Sequence, residues 1–226
     1  MTRSVMGLAG AGEWETVKSL LPDVKGKDIL DLGCGFGWHA AYFAENGCRS
    51  VDAVDASEKM ISRAKLMHSG SRIRYSLADI EDIEIAPDSY DLIFSSLVFH
   101  YIRDYDSLVQ KIFRGLSKGG TLLFSCEHPI YTAEGSEDWC CNEDGTIKHF
   151  PVDRYFAMGT RETSFLGKTV EKQHRTLTGY IMPLIENGFV LSALKEPEVP
   201  EHLKHLKEME NEWRRPMMLV VRADKK

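Results

Sequence analysis

The chain has 226 residues, with 28 Lys and Arg against 34 Asp and Glu for a formal net charge of −6, and is 43% hydrophobic and 27% charged. That length fits a single domain over 1–226, with or without an insertion, and the composition excludes intrinsic disorder and a fibrous protein. An acidic balance with no basic block repels phosphate backbones, so nucleic acid is not an expected partner and a small-molecule substrate is. The five cysteines, Cys34, Cys48, Cys126, Cys140 and Cys141, are odd in number and show neither CxxC nor metal-ligand spacing, which points to a reducing compartment. Apolar runs such as Leu92 to Phe99 are too short to span a bilayer, and the N-terminus has no sustained apolar stretch before Glu13. The expectation is a cytoplasmic protein with no membrane partner; nothing in the sequence sets its oligomeric state.

The first half alternates short apolar runs with amphipathic stretches, the pattern of repeated βαβ units around a parallel sheet. A helix over about 13–21 closes at Pro22. Asp28 to Leu32 is a buried strand, and Trp38 to Glu45 a helix ended by Gly47. Val51 to Val54 is the next strand, Ser57 caps a helix through about Met67, and Arg72 to Leu77 and Tyr90 to Ser96 are strands three and four. Asp104 to Leu116 is a helix, and Gly119-Gly120 turns the chain into a fifth strand, Thr121 to Cys126. From Glu127 to His174 the pattern breaks into a segment with scattered aromatics, among them Tyr131, Trp139, Phe150, Tyr155, Phe156 and Phe165. Its length predicts an insertion, or a lid, over 127–174. A helix from Thr176 to Asn187 follows, which Pro183 can kink. A strand to about Leu194, a short helix over about 201–213 and a last strand, Met217 to Val221, complete an open, mostly parallel seven-stranded α/β sheet.

Ile29-Leu30-Asp31-Leu32-Gly33-Cys34-Gly35-Phe36-Gly37 sets three glycines between a strand and a helix, where backbone and ligand can approach without a Cβ clash. In open α/β sheets a ligand binds at the carboxyl ends of the strands, beside such a turn. A dinucleotide loop would read G-x-G-x-x-G, but Trp38 stands where its last glycine belongs, which disfavours a nicotinamide dehydrogenase. Asp31 would repel a pyrophosphate. Asp55 ends the second strand, 55 − 31 = 24 residues further on, where a carboxylate accepts both hydroxyls of a ribose. Asp79 follows the third strand within reach of an adenine amino group, with Ile80 as an apolar flank. Together they describe a pocket for a nucleoside bearing an amino group and a sulfonium, and no phosphate.

These residues resemble the class I S-adenosylmethionine-dependent methyltransferases. The resemblance rests on DLGCGFG, VDAVDAS, LADIED, PDSYDLIFSSLVFHYI and LSKGGTLLFS in order. GWH after the loop, EHPIYTAEG, YF..G.RETSFLG..V.K.HRTL..Y and RRPMML narrow it to a bacterial group of small methyltransferases of unassigned substrate. It implies a Rossmann-like fold, S-adenosylmethionine as cofactor, and a cofactor site of Asp31, Gly33, Cys34, Gly35, Gly37, Trp38, His39, Asp55, Ala56, Asp79, Ile80 and Ser95.

The expected reaction is transfer of the sulfonium methyl to an oxygen or nitrogen of a small molecule by in-line displacement, which asks for no metal. His202, His205 and Glu208 share a helical spacing of three and are read as solvated residues. His100 after the fourth strand and His128 after the fifth lie at carboxyl ends of strands and are the first candidates for a general base, with His174 behind them. A histidine is more often a hydrogen-bonded structural residue than a catalyst, and each carries that reading as well. The exit SSLVFH lacks the Asn/Asp-Pro-Pro-aromatic turn that nucleic-acid amino methyltransferases carry. A nucleoside-binding regulator that kept the pocket and lost turnover is the rival from another class.

Overall fold

A computed structural model of the chain describes residues 7–165 and 167–226. The described chain runs α1 (Trp14–Leu20), β1 (Asp28–Leu32), α2 (Trp38–Glu45), β2 (Ser50–Asp55), α3 (Glu58–Met67), β3 (Ile73–Leu77), β4 (Tyr90–Ser96), α4 (Tyr105–Gly115) and β5 (Leu116–Glu127). Next come α5 (Pro129–Thr132), β6 (Cys140–Cys141), β7 (Ile147–His149), β8 (Gly159–Phe165) and β9 (Lys168–His174), then α6 (Leu177–Glu186), β10 (Phe189–Lys195) and β11 (Met218–Lys225).

Seven strands form one sheet in the order β10-β11-β5-β4-β1-β2-β3. The five from β3 to β5 pair in parallel, and β11 runs antiparallel to both β5 and β10. This is the Rossmann-like methyltransferase architecture, with helices on both faces. Alternate residues of the central strands feed two cores, as expected where a parallel sheet is covered on both sides. Leu30, Leu32, Ile93 and Phe124 pack with Leu108 and Ile112 of α4 and Tyr180 and Leu184 of α6. Ile29, Val51, Leu92 and Phe94 pack with Trp14 and Val17 of α1, Phe43 of α2 and Ile61 of α3. Side-chain caps fix three helix starts: Ser57 Oγ, Asp104 Oδ1 and Thr176 Oγ1 accept the N–H groups of Met60, Ser107 and Gly179. Among the described residues no helix is long and apolar enough to cross a membrane.

Two expectations need correction, and a third gains detail. The stretch 201–213 is not one helix but the 3-10 turns Glu201–Leu203, Lys207–Met209 and Glu212–Arg214. Leu206, between the first two turns, is extended at φ −76° and ψ 131°, which interrupts any continuous helix there. The last strand reaches Lys225, past the apolar run, because its polar half is still paired: Thr121 Oγ1 donates to Asp224 Oδ1 at 2.7 Å across β5 and β11. The 127–174 segment, which follows no helical or strand pattern in sequence, holds a short helix and two antiparallel hairpins, β6–β7 and β8–β9. Leu166, within the RETSFLG stretch, lies outside the described residues, as do residues 1–6. Helix α6 runs on through Pro183 to Glu186.

Candidate active site

The sheet order reverses between β1 and β4, so their carboxyl ends flank the crevice where ligands bind in this fold. The glycine loop leaves β1 there. Gly33, Gly35 and Gly37 have φ of +80°, +54° and +79°, values that glycine reaches without a Cβ penalty. Two of them serve internal packing: a Cβ on Gly33 would strike Val98, and one on Gly37 would strike Tyr75 and Ala64. Gly35 differs, since nothing lies within 4 Å of where its Cβ would stand. Asp55 Oδ2 accepts the Gly35 N–H at 2.9 Å, and Oδ1 accepts the Ser57 N–H at 2.8 Å. The carboxylate is thereby aimed by one bond to the loop and one to the start of α3, and each oxygen keeps a lone pair. A fixed carboxylate beside a bare stretch of backbone fits a ribose-bearing ligand that brings no phosphate.

The other expected contacts divide. Ala56 is exposed beside Asp55, and Asp79 is exposed with its Oδ1 accepting the Glu81 N–H at 2.9 Å. Asp31 and Cys34 are buried under the loop; burial, then the charges of Asp31 and Asp55, push the Cys34 thiol well up. Trp38 lies against His68, with ring centroids 4.5 Å apart. His39 sits in an aromatic cluster, 4.7 Å from Phe94 and 5.5 Å from Trp14. Ile80 turns into the core, and the buried Ser95 hydroxyl donates to the Leu32 carbonyl at 2.8 Å. For His39, Ile80 and Ser95 the side chains thus pack within the protein.

The three histidines are occupied to different degrees. His174 uses both ring nitrogens, at 2.8 Å from Thr132 Oγ1 and 2.8 Å from the Tyr155 carbonyl. Because a carbonyl only accepts, Nε2 carries the proton and Nδ1 accepts from the hydroxyl. His128 Nδ1 accepts the Ile130 N–H at the start of α5, and its Nε2 is 2.9 Å from Glu196 Oε1. His100 accepts the Glu127 N–H on Nδ1 at 3.2 Å, and its Nε2 lies 3.8 Å from Glu127 Oε1. Burial lowers all three: His100 far below its ordinary value, with Lys172 and Arg175 adding to the effect, and His128 against an opposing pull from Glu196. His128 and His174 therefore fix the backbone after β5 and the root of β9, and in each the ring nitrogen that bears the lone pair, Nδ1, already accepts a hydrogen bond.

A cluster that the sequence reading did not single out gathers around Glu127, the last residue of β5. Lys172 of β9, its side chain only 1% exposed, donates to Glu127 Oε1 at 2.6 Å and to Glu137 at 2.9 and 2.7 Å. Burial, then the Glu137 charge, hold the Glu127 carboxyl up at about 7 against the pull of Lys172. The two glutamates in turn push the Tyr101 hydroxyl, already raised by burial, to about 12. Period-two alternation puts Lys172 on one face of β9 with His174, and the strand-end rule that selected His128 selects Glu127 equally; those were the signals available. Nearby, Arg215 stacks on three rings of the insertion, 4.7 Å from the Tyr131 centroid, 4.8 Å from Trp139 and 4.6 Å from Phe150, while pairing with Glu212 at 2.7 Å.

Residues 30–124 match the family profile of a methyltransferase domain. A solved structure from Listeria monocytogenes, of a protein assigned as an S-adenosylmethionine-dependent methyltransferase, is 47% identical with a TM-score of 0.93, covering 97% of this chain and 99% of that one. An S-adenosylmethionine-dependent methyltransferase from Mesorhizobium loti is 39% identical with a TM-score of 0.90, covering 97% of this chain and 100% of that one. An uncharacterised protein of Haemophilus influenzae is 35% identical over 221 residues, 94% of this chain and 87% of that protein. With its sheet order and glycine loop, the chain belongs to the S-adenosylmethionine-dependent methyltransferases. It is an enzyme of that class, and S-adenosylmethionine is its cofactor.

Proposed function

We propose that this methyltransferase acts in the cytoplasm on an oxygen or nitrogen of a small molecule, by in-line displacement, as a single domain whose 127–174 segment covers the acceptor. The observation that carries the reading is the pairing of Asp55 with Gly35, a fixed carboxylate beside backbone that faces open space. Asp55 would hold the ribose hydroxyls, Asp79 the adenine amino group, and the backbone of 33–37 the methionine end. When bound, S-adenosylmethionine supplies a methyl group on a sulfonium, and its transfer removes a charge. The protein gains most by holding an acceptor in line and away from water, since orientation contributes about 7–11 kcal/mol. The buried roots of the insertion, Arg161, Lys172 and His174, support that covering role. Matches over about half of the chain to an O-methyltransferase and to an N-methyltransferase support either acceptor atom.

Calorimetry with the demethylated cofactor tests the site. Asp55→Ala should lose two charge-assisted hydrogen bonds, at about 1.5–3 kcal/mol each, or about 10²–10⁴-fold in affinity. Unchanged affinity in a folded variant would sink the ribose assignment. Methyl transfer from radiolabelled donor into a protein-free metabolite extract separates the enzyme from a binding-only regulator.

A further inference from the structure

We propose that Glu127 is a catalytic residue, the carboxylate that takes the acceptor's proton, with Glu137 and Lys172 as its positioning residues. The inference rests on the methyl-transfer reading above and goes beyond it in naming the base.

A base for this site must stand at the crevice, must have a lone pair to offer, and must be able to hold a proton. His128 and His174 fail the second condition, since the lone pair of each neutral ring, on Nδ1, already accepts a hydrogen bond. His100 fails the third, because burial and the charges of Lys172 and Arg175 disfavour its protonated ring. Glu127 meets all three. It ends β5, the strand beside β4, and its side chain is 16% exposed. Oε1 takes one N–H from Lys172, whereas Oε2, which the surrounding side chains cover, receives none from the described residues. A protonated Glu127 also has Glu137 to donate to, which, after burial and the Glu137 charge, helps raise its affinity for the proton.

The charged and titratable groups facing it come from every neighbouring element: Lys172 of β9, Glu137 after α5, His100 and Tyr101 after β4, and Tyr131 of α5. Two carboxylates and one ammonium buried together leave one negative charge in excess, and the environment favours taking up one proton. In the step, the bond from the acceptor atom to the methyl carbon forms as the carbon–sulfur bond breaks. The carbon–sulfur pair stays on sulfur, which becomes a neutral thioether. The acceptor's O–H or N–H pair stays on the acceptor, and its proton goes to Glu127, which becomes a neutral acid and later returns the proton to solvent.

The test uses the full chain saturated with S-adenosylhomocysteine, read by carboxyl infrared titration, and initial rates of label transfer from S-adenosylmethionine into a protein-free metabolite extract. The parent should show a carboxyl titrating near neutral pH and a rate that rises with pH across the same range. Glu127→Gln should abolish that titration and lower the rate about 10²–10⁴-fold with cofactor affinity unchanged, and Glu127→Asp should recover part of the rate. Glu137→Gln, which leaves the base in place, should move both curves to lower pH. A Glu127→Gln rate within about threefold of the parent, or unmoved curves in Glu137→Gln, overturns the assignment while methyl transfer stands. No binding of labelled S-adenosylmethionine by the parent overturns the underlying reading. Binding with no transfer makes the site that of a regulator, and the base falls with it.

Discussion

Replacing Lys172 with methionine probes the charge arrangement at the end of β5. Its amino group makes three contacts of 2.6–2.9 Å to Glu127 and Glu137 from a side chain 1% exposed. Methionine keeps most of the apolar stem, so the loss is electrostatic. Removing one partner of a buried pair costs about 3–5 kcal/mol, because the carboxylates left behind have little water and no counter-charge. In a chain of this size each kcal/mol shifts Tm by about 2–4 °C, which gives a fall of about 6–20 °C at pH 8. The pH dependence has a definite sign. Glu127 is held up at about 7 in the folded protein against an ordinary 4.5, and losing the opposing charge of Lys172 raises it further. A raised folded pKa contributes stability that is present below the unfolded value and lost as pH rises through the folded one. The variant's deficit should therefore be smaller at pH 5 than at pH 8. His100, whose charged ring Lys172 also opposes, moves in the same direction. Calorimetric melts of both proteins at the two pH values decide it: a fall of less than 2 °C at pH 8, or a larger deficit at pH 5, would refute the reasoning.

The loop glycines should separate by assay. Gly33→Ala, forced against Val98 at a positive φ, is expected to lose about 2–5 kcal/mol in urea unfolding, whereas Gly35→Val should lose about 1–2 kcal/mol and at least about 100-fold in cofactor affinity. The folded state binds fewer protons than the unfolded one at His100, His128 and His174. Stability should thus fall as pH drops through 6.5, by up to about 1.4 kcal/mol per unit per histidine, and urea titrations of His174→Gln should show a slope shallower by about one proton. Arg215→Ala removes a guanidinium from three rings and leaves Glu212 unpaired, so amide exchange over 131–150 should speed about tenfold; unchanged protection would show that the rings hold the segment without it.

Much of the fold was legible because the parallel strands are buried on both faces and announce themselves as apolar runs, with Gly47, Ser57 and Asp104 marking turns and caps between them. The same reasoning failed where period and polarity disagree. In β8–β9 the alternation runs through Thr, Arg, Glu and Lys, so the inward residues carry charge and no apolar stripe appears. In 201–213 the apolar residues sit at a helix-like spacing of three, yet an extended Leu206 divides the stretch into short turns. The Gly35–Asp55 pair was readable because strand-end position alone brings the two together. The Glu127–Lys172 cluster was not, because its chemistry depends on burial, which residue type does not encode. Histidine attracts attention for an ordinary pKa near neutrality, yet burial drives His100, His128 and His174 away from it. Glutamate attracts none, yet the same burial, helped by Glu137, carries Glu127 toward neutrality. Desolvation disfavours the charged form of either group, lowering the cationic acid and raising the neutral one. At this buried strand end it therefore makes the carboxylate the better proton acceptor of the two, and Lys172, placed by one register of a polar hairpin, keeps that carboxylate ionisable.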